Sequence, residues 1–177
     1  MAVNSFANID YTVPAVTAMT QLATGTVSGT STTLGSISQS YKHLYLVLQS
    51  VQLSSATDLA VRPNNDTSAN YANVYMQVGS STVAARTTDT LIYLNSGGTP
   101  AAPATANNDT ATLYIQNYTA GKAKNIQVSY LSGTTKASGT YGFYNHINNA
   151  AITSLVLCTN SGSATWSVGT YTLYGVN

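Results

Sequence analysis

The stretch Leu44-Tyr45-Leu46-Val47-Leu48-Gln49 decides the fold class. Leu44, Leu46 and Leu48 alternate with Tyr45, Val47 and Gln49. Successive side chains leave a pleated backbone on opposite sides, so a period of two marks a strand with one face buried. The period recurs down the chain. Val74, Met76 and Val78 alternate with Tyr75 and Gln77, and end at Gly79. Ala111, Leu113 and Ile115 alternate with Thr112, Tyr114 and Gln116. Ile126, Val128 and Tyr130 alternate with Gln127 and Ser129, and Tyr171 and Leu173 with Thr172 and Tyr174.

Shorter runs fill the gaps. One segment ends at Val27 before Ser28-Gly29, and Leu59 and Val61 are stopped by Arg62-Pro63. Leu91 to Leu94 and Tyr141 to Tyr144 read as strands, and Ile152 to Cys158 as a more buried one. Turn clusters separate them, such as Thr119-Ala120-Gly121-Lys122 and Asn160-Ser161-Gly162, where Gly and Asn allow positive φ. No long segment holds a helical period; Pro63 to Tyr71 has room for one helical turn capped by Asp66. The expectation is an all-β protein, an antiparallel β-sandwich of the jelly-roll type. The loop Ser96 to Asn108, with Pro100 and Pro103, reads as long and exposed.

Residues 1–22 differ from the rest and read as an extended N-terminal arm, leaving 23–177 as a single β-sandwich domain. Val3, Phe6, Ile9, Tyr11 and Val13 are spaced by small polar residues, and Pro14 excludes a helix. These five are the expected partner-binding residues of the arm.

Composition removes several functions. Only 6% of the 177 residues are charged, against about 25% in an ordinary soluble domain. There is no Glu, and the five acids are Asp10, Asp58, Asp66, Asp89 and Asp109. Six scattered cations and a net charge of +1 make no nucleic-acid footprint. No run approaches the roughly 20 apolar residues of a membrane helix. One cysteine and two histidines give neither an internal disulfide nor a zinc pattern, so no cofactor is expected. The opening MAVNSFANIDYTVPAV has no Lys or Arg ahead of an apolar run and does not read as a secretory signal. Without that route, the sequons at Asn65, Asn108 and Asn117 carry no glycan.

Candidate chemistry is sparse. His43 and His146 are the available neutral-pH bases, yet no nucleophile elbow accompanies them, and both read as structural. A glycosidase pair would have to come from the five Asp, which sit where turn and cap acids sit. Asn64, Asn65 and Asp66 offer oxygens to an ion, but a single carboxylate is a poor calcium site. Cys158 reads as a small core residue. Thirteen Tyr against two Phe keep hydroxyls at the water boundary, as interfaces do. Tyr141, Tyr144 and Trp166 are the candidate glycan-stacking platform; the alternative is packing on their own sheet. Surface solvation falls to 27 Thr, 20 Ser and 16 Asn. Such a surface responds little to salt and repels its copies weakly, which suits a many-copy particle component better than an enzyme.

Three stretches carry a family resemblance: Tyr41-Lys42-His43-Leu44, Asn64-Asn65-Asp66-Thr67-Ser68-Ala69-Asn70-Tyr71, and Tyr171-Thr172-Leu173-Tyr174-Gly175-Val176. With their order, they make residues 24–177 resemble small β-sandwich structural proteins of tailed bacteriophages, of the marine and cyanophage type. The resemblance implies a non-enzymatic virion protein, made in the host cytoplasm and located in the virion. In that family the module sits at tips of long fibre proteins, whereas this chain shows no shaft and no heptads. The first expectation is therefore a capsid decoration (cement) protein, a homo-oligomer and usually a trimer. Its partner would be the major capsid protein or another virion protein, with no nucleic acid and no membrane. The alternative is a tail-fibre or receptor-binding, glycan-binding virion protein.

Overall fold

The leucine alternation forms a strand, His43–Leu53, in which Leu44, Leu46, Leu48, Val51 and Leu53 are all buried. The structure, a computed structural model, describes residues 19–55, 57–78, 83–95, 109–133 and 139–177. Val3, Phe6, Ile9, Tyr11, Val13 and the loop Ser96 to Asn108 lie outside the described residues. In chain order the strands are β1 (Met19–Thr26), β2 (Ser31–Leu34), β3 (His43–Leu53), β4 (Leu59–Pro63), β5 (Tyr71–Val78), β6 (Val83–Asp89), β7 (Ile92–Tyr93), β8 (Asp109–Ile115), β9 (Lys124–Leu131), β10 (Gly139–His146), β11 (Leu155–Thr159) and β12 (Trp166–Val176). The described residues contain no helix.

These strands make two antiparallel sheets packed on each other. The large sheet runs β1-β12-β3-β8-β9-β10-β5-β6 and the small one β2-β11-β4-β7. The all-β sandwich is thus as read. A jelly roll, with its eight strands in two Greek keys, is not confirmed by this division into eight and four strands. Residues 19–22, read as the end of the arm, belong to β1, whose Met19 pairs with Val176. The helical turn read at Pro63 to Tyr71 is absent. Asn64 and Asn65, at φ of 52° and 53°, form a tight turn closed by Asp66 N–H donating to Pro63 O at 3.0 Å. Two successive left-handed residues stop a helix before it starts, and Asn tolerates that region.

The core lies between the sheets. Leu44, Leu46, Leu48, Leu113, Ile126, Val128 and Leu173 come from the large sheet; Leu59, Val61, Ile92, Leu155 and Leu157 come from the small one. β11 is buried at every residue, as its unbroken apolar run suggested. β5 is where period and facing part. The alternation is present, but Val74 and Met76 point outward while Tyr71, Asn73 and Tyr75 are buried. The larger tyrosines take the inner side, where Arg86 lies over the rings of Tyr75 and Tyr93 and Asn73 donates to Asp89.

The three resemblance stretches do structural work. Tyr41 lays its ring directly over Gly175, and Lys42 N–H donates to Val176 O at 3.0 Å, so the first and last stretches meet. A Cβ at position 175 would collide with that ring. Asn64 Oδ1 accepts from Thr153 N–H at 2.8 Å and Ser154 N–H at 3.2 Å, while its Nδ2 donates to Ala151 O at 2.8 Å. The middle stretch thereby clamps the β4–β5 turn to the segment leading into β11.

Candidate functional site

The outer face of the large sheet divides in two. One row of outward residues, followed from edge to edge by register, reads Gln21, Tyr174, Tyr45, Tyr114, Gln127, Phe143, Val74 and Ala85. The next row reads Thr24, Thr172, Val47, Thr112, Ser129, Tyr141, Met76 and Val83. Across β12, β3 and β8 these rows are tyrosine and threonine apart from Val47. Across β10, β5 and β6 they turn apolar. No Asp, Lys or Arg stands in either row.

The apolar half is bare. Val83 is 67% exposed, Leu131 59%, Val74 51%, Phe143 50% and Met76 49%, with Tyr141 beside them. Val74 lies opposite Phe143, Met76 opposite Tyr141, and Val83 opposite Met76, so these five are contiguous, with Leu131 on the neighbouring β9. Together they form an exposed apolar patch, the kind of feature that marks contact surfaces when it is large and contiguous. Phe143 meets Tyr141 edge-on, with ring centroids 5.2 Å apart and planes at 88°. Beside Phe143 the face carries an open hollow of about 350 Å³, floored by Ala72 and Ala85 and bordered by Arg86, Thr87, Asn125 and Asn145. On its other side lies a second hollow of about 270 Å³, bordered by Gln116, Asn125 and Gln127.

The tyrosine half is half-buried. Tyr45 and Tyr114 pack ring to ring at 6.5 Å, and His43 lies 5.5 Å from Tyr114. Their apolar bodies cover one another while hydroxyl tips face water.

The expected glycan platform does not assemble. Tyr141 and Tyr144 are an odd number of residues apart on β10, which puts them on opposite faces. Tyr141 is exposed, whereas Tyr144 and Trp166 are buried in the core. Burial accordingly pushes the Tyr144 hydroxyl pKa up. Phe143, two residues from Tyr141, is the aromatic that shares its face. Sequence reasoning missed it because Phe143 was read as one residue of a strand with no face assigned.

The titratable residues fold into separate structural knots. His146 is fully buried and stacked on Tyr71, centroids 4.5 Å apart and nearly parallel. Asp66 Oδ2 accepts from Asn70 Nδ2 at 2.9 Å and from His146 Nε2 and Asn148 Nδ2, each at 3.1 Å; Oδ1 accepts from Ser68 N–H at 2.9 Å. Burial pushes this carboxyl up, but the hydrogen bonds from Asn70, His146, Ser68 and Asn148 together outweigh it and hold Asp66 well below the usual carboxylate range. With Asp66 ionised, His146 Nε2 carries the proton it donates. Burial lowers the His146 pKa, partly offset by Asp66 and reinforced by Lys124 across the strand pair. Lys124 is itself buried and donates to Ala120 O at 2.7 Å and to Lys122 O; burial lowers its pKa.

The remaining candidates are apart. His43 Nδ1 accepts from Asn117 N–H at 3.1 Å on the outer side, three strands from His146 and facing the other way. Asp109 is buried, accepting from Tyr130 at 2.7 Å, Gly133 N–H at 2.9 Å and Ser132 at 3.1 Å. Asp58 and Asp89 are both raised by burial, each opposed by the Arg86 charge. Cys158 is buried, and burial raises its thiol. The oxygens of Asn64 and Asp66 bond inward, and among the described residues no three His, Cys, Asp or Glu gather to hold a metal. Phe143 and its apolar neighbours are thus the prominent surface feature, and the polar clusters are internal.

No protein-family model, curated protein or solved structure matches this chain. The bacteriophage resemblance therefore rests on the three sequence stretches alone.

Proposed function

We propose that the protein is a non-enzymatic structural subunit of a bacteriophage virion, a capsid decoration (cement) protein that docks through its sandwich and its N-terminal arm. The observation that carries the docking part is the bare apolar half of the large sheet, whose two outward rows hold no charge. Burying charge-free surface against another protein costs no ion desolvation. Large contiguous apolar patches on a protein surface mark contact surfaces. The virion assignment comes from the sequence resemblance, and the low charge suits it. The major capsid protein is the partner that this reading names.

The test uses whole particles. Particles assembled without the protein should lose surface density in electron microscopy and break at lower temperature. Particles that look and melt the same without it would contradict the reading. A glycan-binding tail role is the second reading, favoured by the exposed Tyr141–Phe143 pair beside the side-chain amides of Asn125 and Gln127. Adsorption blocked by the purified chain, with capsids unchanged, would favour it instead.

A further inference from the structure

We infer that His146 is the trigger of an acid-operated latch: protonation of its ring frees residues 65–70 of the β4–β5 turn and the strap after β10, residues 147–150, while the rest of the sandwich stays folded. The latch lies on the inner side of β5 and β10, away from the apolar face, and does not depend on what docks there.

The geometry leaves one place to add a proton and nothing to receive it. His146 is fully buried, stacked on Tyr71, and already uses Nε2–H to bond Asp66. Its Nδ1 is buried too and has no hydrogen-bond partner among the described residues. A proton gained there becomes a buried N–H without an acceptor. The ring also becomes a cation beside a buried one. Lys124 is the register partner of His146 on β9, and its Nζ is held by the carbonyls of Ala120 and Lys122. Asp66 has the opposite sign, but burial and the Lys124 charge together outweigh it. The ring therefore takes a proton more readily exposed than enclosed.

The other groups of the cluster stay as they are in mild acid. Hydrogen bonds hold Asp66 well below the usual carboxylate range. Burial raises the hydroxyl of Tyr71; of the two groups that act on it besides Asp66, Cys158 is raised as well and Arg62 is a permanent cation. Between about pH 6 and pH 4, His146 is the member that changes charge.

What moves is small. Most of residues 65–69 and 147–150 are exposed, and their ties run through this cluster. Ser68 N–H and Asn148 Nδ2 both bond Asp66, and Ile147 N–H donates to Asn70 O at 2.9 Å. Asn64, bonded to Ala151, Thr153 and Ser154, marks where the movable part ends. Surface segments with few buried apolar contacts open more easily than the whole fold.

The experiment is hydrogen exchange of the full chain, read by mass spectrometry at pH 7.5 and 5.0, with each rate divided by the intrinsic rate at that pH. Peptides covering 65–70 and 147–150 should lose about tenfold in protection at pH 5.0, as when an imidazole regains its ordinary pKa of about 6.5 on opening. β3 and β12 should stay the better protected. Low urea should speed their exchange and leave that of the two segments unchanged, since a local opening exposes little new surface. His146→Gln keeps a donor for Asp66 and does not titrate, so its segments should stay protected at both pH values. Lys124→Met should lessen the loss, because the protonated ring no longer meets a second cation. In wild type, NMR of the His146 ring should show a midpoint below 6.5, a reading that stands even where a variant does not fold. A midpoint above 6.5 would make acid tighten the latch and would overturn it. So would protection unchanged at pH 5.0, segments that open only together with β3 and β12, or a His146→Gln chain that opens as wild type does.

Discussion

The two halves of the outer face share a backbone and differ in surface chemistry. The row Tyr174-Tyr45-Tyr114 continues through Gln127 as Phe143-Val74-Ala85 without a break in register. On the first half each large ring ends in a hydroxyl and leans on its neighbour, as Tyr45 does on Tyr114. That half is finished for contact with water. On the second half Phe143 has no hydroxyl, its neighbours apart from Tyr141 are aliphatic, and about half of Phe143, Val74 and Met76 is bare. That half suits the protein contact proposed above. The undersides differ as well. Beneath the tyrosines lie Leu44, Leu46 and Leu48, while β5 and β10 carry Tyr71, Asn73, Tyr144 and His146 inward. The apolar residues are on the outside just where the inside is polar and aromatic.

Four changes would break or sharpen that contrast. Leu46→Ala, under the tyrosine half, should cost about 2–5 kcal/mol in denaturant unfolding, as a buried leucine lost to a cavity does. If it proved harmless, the assignment of core and surface would be wrong. Asn64→Ala removes the acceptor for two backbone amides and the residue suited to the left-handed turn. A loss of about 1–3 kcal/mol is expected, read by the melting temperature. Lowering the pH should act next, through the knot at the ends of β5 and β10. His146 and Asp66 both titrate lower folded than unfolded. In each case the unfolded chain binds the proton more readily, so stability falls with falling pH. Loss should begin below about pH 6.5 through His146 and steepen below about pH 4 through Asp66. His146→Gln should remove the upper limb alone; a limb that persisted would place its source elsewhere. Smallest is Met76→Thr on the bare half, expected within about 0.5 kcal/mol of wild type for the dilute chain. A large loss there would mean that Met76 is packed, against the exposure described.

Much of this was legible in the sequence where one face of a strand is leucine and the other is not. β3, β8 and β9 stand where the alternation put them. β2 and β6 were not read, because Ser31-Thr32-Thr33 and Arg86-Thr87-Thr88 at sheet edges carry no apolar period. The facing of β5 was illegible for a different reason. Both of its phases hold large uncharged residues, and only the tertiary setting of Arg86, Asp89 and Tyr93 chooses Tyr75 over Met76. The exposed apolar face escaped notice for the same reason, since its residues look like core by period. Tyr144 and Trp166 resembled a platform by type, but odd spacing and core packing remove them. The Asn64 to Tyr71 stretch, read as a resemblance motif and as room for a capped helical turn, is instead a turn clamp.

The most direct test of the contrast is hydroxyl-radical footprinting of the full chain, dilute and then assembled. Met76, Phe143 and Tyr141 should be reactive in the dilute chain and protected on assembly. Tyr45, Tyr114 and Tyr174 should react alike in both states. Protection of the tyrosine half with Met76 and Phe143 unchanged would contradict the account.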